Sequence, residues 1–406
     1  MKAERAYPSV TVTPKAEAAI LRGHPWVYGE EILSMDGEPE NGGLTDVRGR
    51  KGAYLGTGFL SEKSKIRVRL ISRNANDRFD AAFWERKLRW AWEYRKTVMA
   101  PEDLDACRVI FGEADMFPGL TVDKFHDLLS VQVLSMGMEK IKDLLLPLLV
   151  RILREDGQTV RGVFQRNDVA IREKEGLEQA KGWFPLPGEV PPESPVTEIV
   201  ENGIKYLVDV ENGQKTGFFL DQKYNRRAVA RLAEGRTVLD CFTHTGSFAL
   251  NAALGGAKHV TAVDVSASAV EMARANAERN GLGGVVDCVA ANVFELLPEE
   301  PVKYDFIILD PPAFTKSRRT AASAMTGYKE INYRAMKLLP RGGYLATCSC
   351  SHFAEEEKFA AMLRSAARDA GVRLRQIEAR QQSCDHPILW GVEETSYLKF
   401  YLFQVV

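Results

Sequence analysis

The stretch Thr237-Val-Leu-Asp240-Cys-Phe-Thr-His-Thr-Gly246-Ser-Phe-Ala-Leu250 reads as a buried strand, a tight turn and the start of a helix. Val238 and Leu239 close an apolar run, and Gly246 allows a backbone geometry that a side chain would block. Ser247 is placed to cap a helix over 248–254 that Gly255-Gly256 stops. A second strand, 260–263, delivers Asp264 about 20 residues after the turn, where a carboxylate in a doubly wound sheet grips the ribose hydroxyls of an adenosine ligand. The glycine series of dinucleotide sites is missing. Pyrophosphate needs several close-approach glycines, whereas S-adenosylmethionine (SAM) has no phosphate and needs mainly room for its amino-acid end. The pair therefore favours SAM, the alternative being that Asp240 and Asp264 merely cap helices.

Outward from this stretch, strands and helices alternate. Ser268-Ala-Val-Glu271 looks like a capping box on a helix ended by Gly281, and strands follow at 285–289 and 306–309. A helix over about 328–339 leads through Gly342-Gly343 to a strand at 344–347, and a last strand is expected at 397–403. Such alternation builds an α/β domain with a parallel, Rossmann-like sheet and ligands at the carboxyl ends of its strands. Asp240, Asp264, Asn292, Asp310 and Cys350 all sit at or just past such ends.

Two of these ends carry chemistry. In Asp310-Pro-Pro-Ala-Phe314 the prolines stiffen the strand exit and orient the carboxylate, leaving Phe314 within reach of a base. In Thr347-Cys-Ser-Cys350-Ser351 a thiol just beyond a strand in a cleft can present an accessible thiolate, and Cys350 is the candidate nucleophile. Cys348, two residues earlier, is expected to be half-buried. A lone cysteine is more often a small buried hydrophobe, which is the reading kept for Cys348.

Upstream, a β-rich segment runs to about Arg73. In 62–70, Lys63, Lys65, Arg67 and Arg69 alternate with Ile66, Val68 and Leu70, which puts four cations on one face. A solvated edge strand and a phosphate-facing strand both fit this pattern; a run of one sign favours the second. His24-Pro-Trp-Val-Tyr28 suits a buried anchor of a small barrel. The aromatic-rich helix over 80–99 suits core packing, and short strands, a helix near 138–153 and strands near Val163 and Ala170 complete a middle β/α domain. Prolines crowd 185–195 and mark a linker. The domains expected are 1–75, a PUA-like β-barrel; 76–190, the β/α domain; and 191–406, the methyltransferase domain.

At 406 residues with 45% hydrophobic and 27% charged residues, the chain has ample core. It has no apolar run long enough to span a membrane and no secretory leader, so a cytoplasmic location is expected. Its 6 cysteines are scattered and suit reduced thiols rather than a disulfide ladder or a metal site. A formal net charge of −1 confines any nucleic-acid contact to local patches.

The chain resembles the RlmI-type 23S ribosomal RNA (cytosine-5) methyltransferases over essentially its whole length. The matching stretches are Arg22-Gly-His-Pro-Trp-Val-Tyr28, Phe111-Gly-Glu-Ala-Asp-Met-Phe-Pro-Gly-Leu-Thr-Val-Asp123, Arg166-Asn-Asp-Val-Ala-Ile-Arg172 with Glu175-Gly176, and Gln214-Lys-Thr-Gly-Phe-Phe-Leu-Asp-Gln222 with Asn225-Arg226. Further matches are Leu239 to Phe248, Asp310 to Phe314, Gly327-Tyr-Lys-Glu-Ile-Asn332, Ser349-Cys-Ser351 and Asp385-His-Pro387. His244, Ser247, Asn292 and Ala313 depart from residues common in that family. The resemblance implies a PUA domain, a central β/α domain and a class I SAM-dependent methyltransferase domain. It implies Cys350 as the nucleophile on C6 of cytosine and Asp310 at the Watson–Crick edge of the base, beside the cofactor. For SAM it implies Gln214, Phe219, Asp221 and Gln222 over the methionine end, and Asp240, Phe242, Thr245 and Gly246 under it. Asp264 and Val265 would lie at the ribose, and Asn292 and Val293 beside the adenine. The RNA contacts expected are Lys63, Lys65, Arg67, Arg69 and Phe314, on single-stranded or flipped-out ribosomal RNA, with a homodimer as a compatible assembly. The competing readings are methylation of guanine or an exocyclic amine without a thiol, a vestigial SAM-dependent RNA-binding factor, and a nicotinamide oxidoreductase.

Overall fold

The computed structural model describes residues 7–299, 304–314 and 321–406. It divides into two compact units, each formed by more than one stretch of chain: residues 1–199, 207–220 and 384–395 in the first, and 200–206, 221–383 and 396–406 in the second.

The first unit holds two sheets. Strands β1 (Ser9–Val12), β2 (Trp26–Tyr28), β3 (Ile32–Asp36), β4 (Leu44–Arg48), β5 (Tyr54–Leu60) and β6 (Ile66–Ser72), with α1 (Pro14–Leu21), form the N-terminal part. Their spatial order is β2-β6-β5-β4-β1-β3. The alternation read in β6 is real, with Val68 and Leu70 buried, although Lys63 and Lys65 precede the strand. Helix α2 (Ala81–Val98) is capped by Asp80, whose carboxylate accepts from the Phe83 N–H. It buries Phe83, Trp84 and Trp92, but Trp90 is exposed, flanked by the cations of Arg86 and Lys87. The second sheet is β7 (Ala106–Phe111), β8 (Leu120–Phe125), β9 (Leu128–Val133), β10 (Gly162–Asn167) and β11 (Ala180–Trp183), in the order β11-β10-β9-β8-β7. α3 (Met136–Glu155) makes the crossover between parallel β9 and β10. The strand expected near Ala170 is instead a 3₁₀ turn, Ala170–Glu175, closed by Gly176 at φ 76°. Phe59 of β5 belongs to the same buried cluster as Trp84 and Val131, and a Cβ on Gly137 would fall 2.2 Å from its ring. That shared core explains why the N-terminal sheet and the middle segment form one unit.

A short hairpin, β12 (Val196–Glu201) and β13 (Ile204–Asp209), follows the proline-rich stretch. The second unit is built on seven strands: β14 (Thr237–Cys241), β15 (His259–Asp264), β16 (Val286–Ala290), β17 (Phe306–Leu309), β18 (Tyr344–Ser349), β19 (Leu374–Arg380) and β20 (Lys399–Val405). Their order is β16-β15-β14-β17-β18-β20-β19. The first five run parallel, as expected, and β20 pairs antiparallel with both β18 and β19. All four residues of β17 are fully buried, as befits a central strand covered on both faces. Helices α4 (Lys223–Ala230), α5 (Ser247–Leu254), α6 (Ala267–Arg279), α7 (Val293–Glu299), α8 (Ala321–Leu338) and α9 (Glu356–Ala370) complete the unit. The chain order reverses between β14 and β17, the switch point at which such sheets bind ligands.

Candidate active site

The turn from β14 to α5 holds three left-handed residues in five: Phe242 at φ 65°, His244 at 50° and Gly246 at 82°. Only the glycine adopts this conformation without cost; each of the others stores about 1–3 kcal/mol of strain. Hydrogen bonds to the next strand hold them there. The Thr243 N–H donates to the Val263 carbonyl at 2.9 Å, and the His244 N–H to Asp264 Oδ2 at 3.0 Å. A Cβ on Gly246 would also sit 3.1 Å from that of Ala273 in α6.

Ser247 does not cap α5. It is the first helical residue, and Gly246 occupies the cap position. One N–H of the first helical turn is met from the strand: Asp240 Oδ2 accepts from the buried Ala249 N–H at 2.9 Å, and also from the Thr243 hydroxyl. A carboxylate in the strand thus does what a cap residue does elsewhere. The expected capping box at Ser268 is likewise displaced, since Ser266 caps α6 and accepts from the Ala269 N–H.

Asp240 is fully buried, and its other oxygen, Oδ1, has no partner among the described residues; nor has Oγ1 of buried Thr245. Burial lifts the Asp240 carboxyl to about 7, against the hydrogen bond from Thr243, with Asp310 and Asp264 adding to the rise. Two unpartnered buried oxygens beside a strained turn fit the polar, cationic end of SAM. At the end of β15, Asp264 accepts from His244 N–H and, at 2.9 Å, from Ser266 N–H. Asp264 is only partly buried, and Val265 beside it is 77% exposed. Beyond β16, Asn292 caps α7, its Oδ1 accepting from the Phe294 N–H at 3.1 Å and its amide donating to Glu295 at 2.9 Å, while the Val293 side chain lies in the core.

Removing Asp264 gives a direct measure of the ribose assignment. Asp264→Ala is expected to weaken SAM binding by about 1–3 kcal/mol, and Asp264→Asn, which keeps an acceptor for His244, by less. Equal calorimetric affinity for wild type and Asp264→Ala would remove Asp264 from the cofactor site.

The ends of β17 and β18 meet at Asp310. A hydrogen-bond chain orients it: Arg380 Nε donates to Asn225 Oδ1 at 3.0 Å, Asn225 donates to Gln222 Oε1 at 2.6 Å, and Gln222 Nε2 donates to Asp310 Oδ1 at 3.0 Å. Gln222 must therefore point its amide nitrogen at the carboxylate. Burial, reinforced by Asp221, lifts Asp310 to about 6, while Arg226, Gln222 and the Cys348 thiol oppose the rise. Asp221 itself accepts from the Tyr397 hydroxyl at 2.6 Å.

Cys348 is completely buried, not half-buried as its position suggested, because β18 lies inside the sheet, paired with β17 on one side and with β20 on the other. Burial pushes its thiol well up, as does Asp310. Cys350, one residue past the strand, keeps part of its surface open. Depth therefore separates the two thiols, as expected. Phe314 is not free at the loop tip; it packs on Tyr328 with ring centres 4.6 Å apart and beside Phe294 and Phe242.

Three further residues stand at the site that the motifs did not single out for chemistry: Tyr328, whose hydroxyl accepts from Ser349 at 3.1 Å, Asn225, and Lys399, at 8% exposure the opening residue of β20. The available signal for Lys399 was a lone lysine leading an apolar strand.

The remaining expected residues lie in the first unit. Gln214 is exposed and Phe219 half-buried, the latter carrying the Lys215 ammonium 4.6 Å from its ring centre. Of the cationic strand, Lys63 and Lys65 are exposed, but Arg69 is ion-paired to buried Glu175 at 2.8 Å, and Arg67 donates to the Glu62 carbonyl.

The strand order, the strained turn after β14 and the carboxylates at successive strand ends define a SAM-dependent methyltransferase. Residues 172–404 match the family model of S-adenosylmethionine-dependent methyltransferases, and residues 10–73 match that of PUA-like domains. A protein of Klebsiella pneumoniae named ribosomal RNA large subunit methyltransferase I is 37% identical over 404 residues, which is 98% of this chain and 99% of that relative. One of Aeromonas salmonicida with the same name is 40% identical over 387 residues, 94% and 96% of the two chains. The chain belongs to this ribosomal RNA large subunit methyltransferase I family. A protein structure from Streptococcus mutans, 22% identical, shares the fold at a TM-score of 0.80 over 98% of this chain and 99% of that one. No helix among the described residues is long and apolar enough to cross a membrane.

Proposed function

We propose that this methyltransferase forms 5-methylcytidine in ribosomal RNA of the large subunit, through a covalent adduct with Cys350. The observation that carries this reading is the contrast within one segment: a partly open thiol at the mouth of β18 and an inaccessible one two residues earlier. The RNA target is suggested by the names of the relatives and by the PUA-like match.

Cytosine C5 is too weak a nucleophile to take a methyl group unaided. Addition of the Cys350 thiolate to C6 makes C5 enamine-like. SAM supplies the electrophilic methyl. Once C5 has gained it, a base removes the C5 proton, the electron pair of that C–H bond re-forms the C5–C6 double bond, and the thiolate leaves C6. Asp310, held by Gln222, would hydrogen-bond the base around N3 and its amino group and favour the adduct. With its carboxyl lifted to about 6, Asp310 is close to the range in which it can share a proton with N3 as the thiolate adds to C6.

The Asp310-Pro-Pro-Ala-Phe314 loop also suits methylation of an exocyclic amine, which needs no thiol. Nucleoside analysis of ribosomal RNA from cells lacking the protein separates the readings: loss of 5-methylcytidine supports the first, and loss of a methylated guanosine or amino group supports the second.

For the RNA surface, Lys63 and Lys65 are the useful probes, because reversing Arg69 would strand Glu175 in the protein. Lys63→Glu with Lys65→Glu is expected to weaken RNA binding, to lower the slope of log affinity against log salt by about one for each phosphate no longer neutralised, and to spare SAM affinity. An unchanged slope would make this face a solvated strand edge only.

A further inference from the structure

Lys399 lies directly opposite Ser349 in the pairing of β18 with β20. Lys399 is buried, at 8% exposure, and its ammonium needs partners inside the protein. Its Nζ donates to the carbonyl of Ser351 at 2.6 Å and to that of Tyr397 at 2.9 Å. Cys350 is therefore clamped on both sides. Ser349 before it is fixed by the strand pairing and by its hydroxyl bond to Tyr328, and Ser351 after it is held by Lys399.

Two neutral carbonyls satisfy hydrogen bonds without balancing the charge. The charges that act on Lys399 are Cys350 first and Glu356 second, and Glu356 already accepts from the Tyr401 hydroxyl at 3.2 Å. Among the described residues, the titratable groups that interact electrostatically with Cys350 include Lys399, the Tyr328 hydroxyl and the buried Cys348 thiol. Of these three, only Lys399 is cationic.

We propose that Lys399 is a positioning residue for Cys350: its ammonium favours the thiolate, and its bonds to Ser351 and Tyr397 fix where that thiolate points. The proposal rests on the reading of Cys350 as the nucleophile. Burial lowers Lys399 itself to about 8, so its cation begins to disappear just above neutral pH, and the help it gives the thiolate fades there.

Alkylation of Cys350 by iodoacetamide, followed by peptide mass spectrometry on the full-length protein from about pH 6 to pH 9, tests this without RNA. Lys399→Met and Lys399→Gln are expected to raise the midpoint of the alkylation profile by about one unit, and so to slow alkylation roughly tenfold at pH 7, whereas Lys399→Arg stays close to wild type. SAM affinity, measured in parallel, reports that each variant is folded. Gln keeps an N–H donor for the carbonyls but no charge. A wild-type midpoint in Lys399→Gln would overturn the proposal and leave Lys399 a structural peg. Should Lys399→Met not fold, the Gln and Arg variants decide alone. If Cys350→Ala still methylates RNA, the nucleophile reading fails and the positioning role of Lys399 in the reaction fails with it, while a shifted alkylation profile would still establish the charge pairing.

Discussion

RNA bearing 5-fluorocytosine at the target position is expected to form a stable covalent complex with the wild-type protein and none with Cys350→Ala. The thiolate adds to C6 and C5 accepts the methyl, but fluorine cannot leave as the proton does, so the double bond cannot re-form and the thiolate stays attached. With ordinary RNA, Cys350→Ala should lose methyl transfer below detection while binding SAM normally. Cys348→Ala should bind SAM and retain activity within about tenfold: it loses a buried thiol beside Asp310, a matter of packing and of weak hydrogen bonds to Asp310 and Gln222, not of the reacting sulfur. Near wild-type turnover by Cys350→Ala would exclude the covalent route and move the assignment to amine or guanine methylation.

Where the sequence was legible, it was because one physical demand selects one residue type. The turn after β14 needs a left-handed residue next to a helix start, and Gly246 announces it; strand ends that face a ligand carry acids, and Asp240, Asp264 and Asp310 stand at or beside theirs. What the residues did not announce were neighbours from distant segments. Ser247 and Ser268 are good caps by type, yet Asp240 from within a strand and Ser266 do the work, because register and not composition decides which oxygen reaches a helix end. Phe242 and His244 look like ordinary residues and are held left-handed by the adjacent strand. β19 was missed for a different reason: as an edge strand of mostly polar, exposed residues it carries little apolar alternation. α9 had no such excuse, since Phe359, Met362, Leu363, Ala366, Ala367 and Ala370 recur at helical spacing and bury one face. The partial satisfaction of the cationic strand followed from Glu175, a residue far along the chain, pairing with Arg69.

SAM affinity is expected to depend on pH through Asp240. Its carboxyl, lifted to about 7 by burial, is largely protonated in the ligand-free protein at pH 6, whereas in the unfolded chain it ionises near the ordinary value of about 4. The native state holds a proton the unfolded chain has lost, so the contribution of Asp240 to stability is full below about pH 4 and declines as pH climbs toward 7. An ammonium docked at the unpartnered Oδ1 reverses the preference by favouring the carboxylate. SAM affinity should therefore climb by up to about tenfold per unit as pH rises toward 7 and then level off, before falling once the cofactor's own amino group loses its proton near about 8. Asp240→Asn, unable to ionise, should bind SAM weakly and without the rise. Asp310→Asn removes one of the charges that lift Asp240, so its rise should move to lower pH. Calorimetric titrations across this range read all three proteins, and a rise that persists unchanged in Asp240→Asn would take the ammonium away from Asp240.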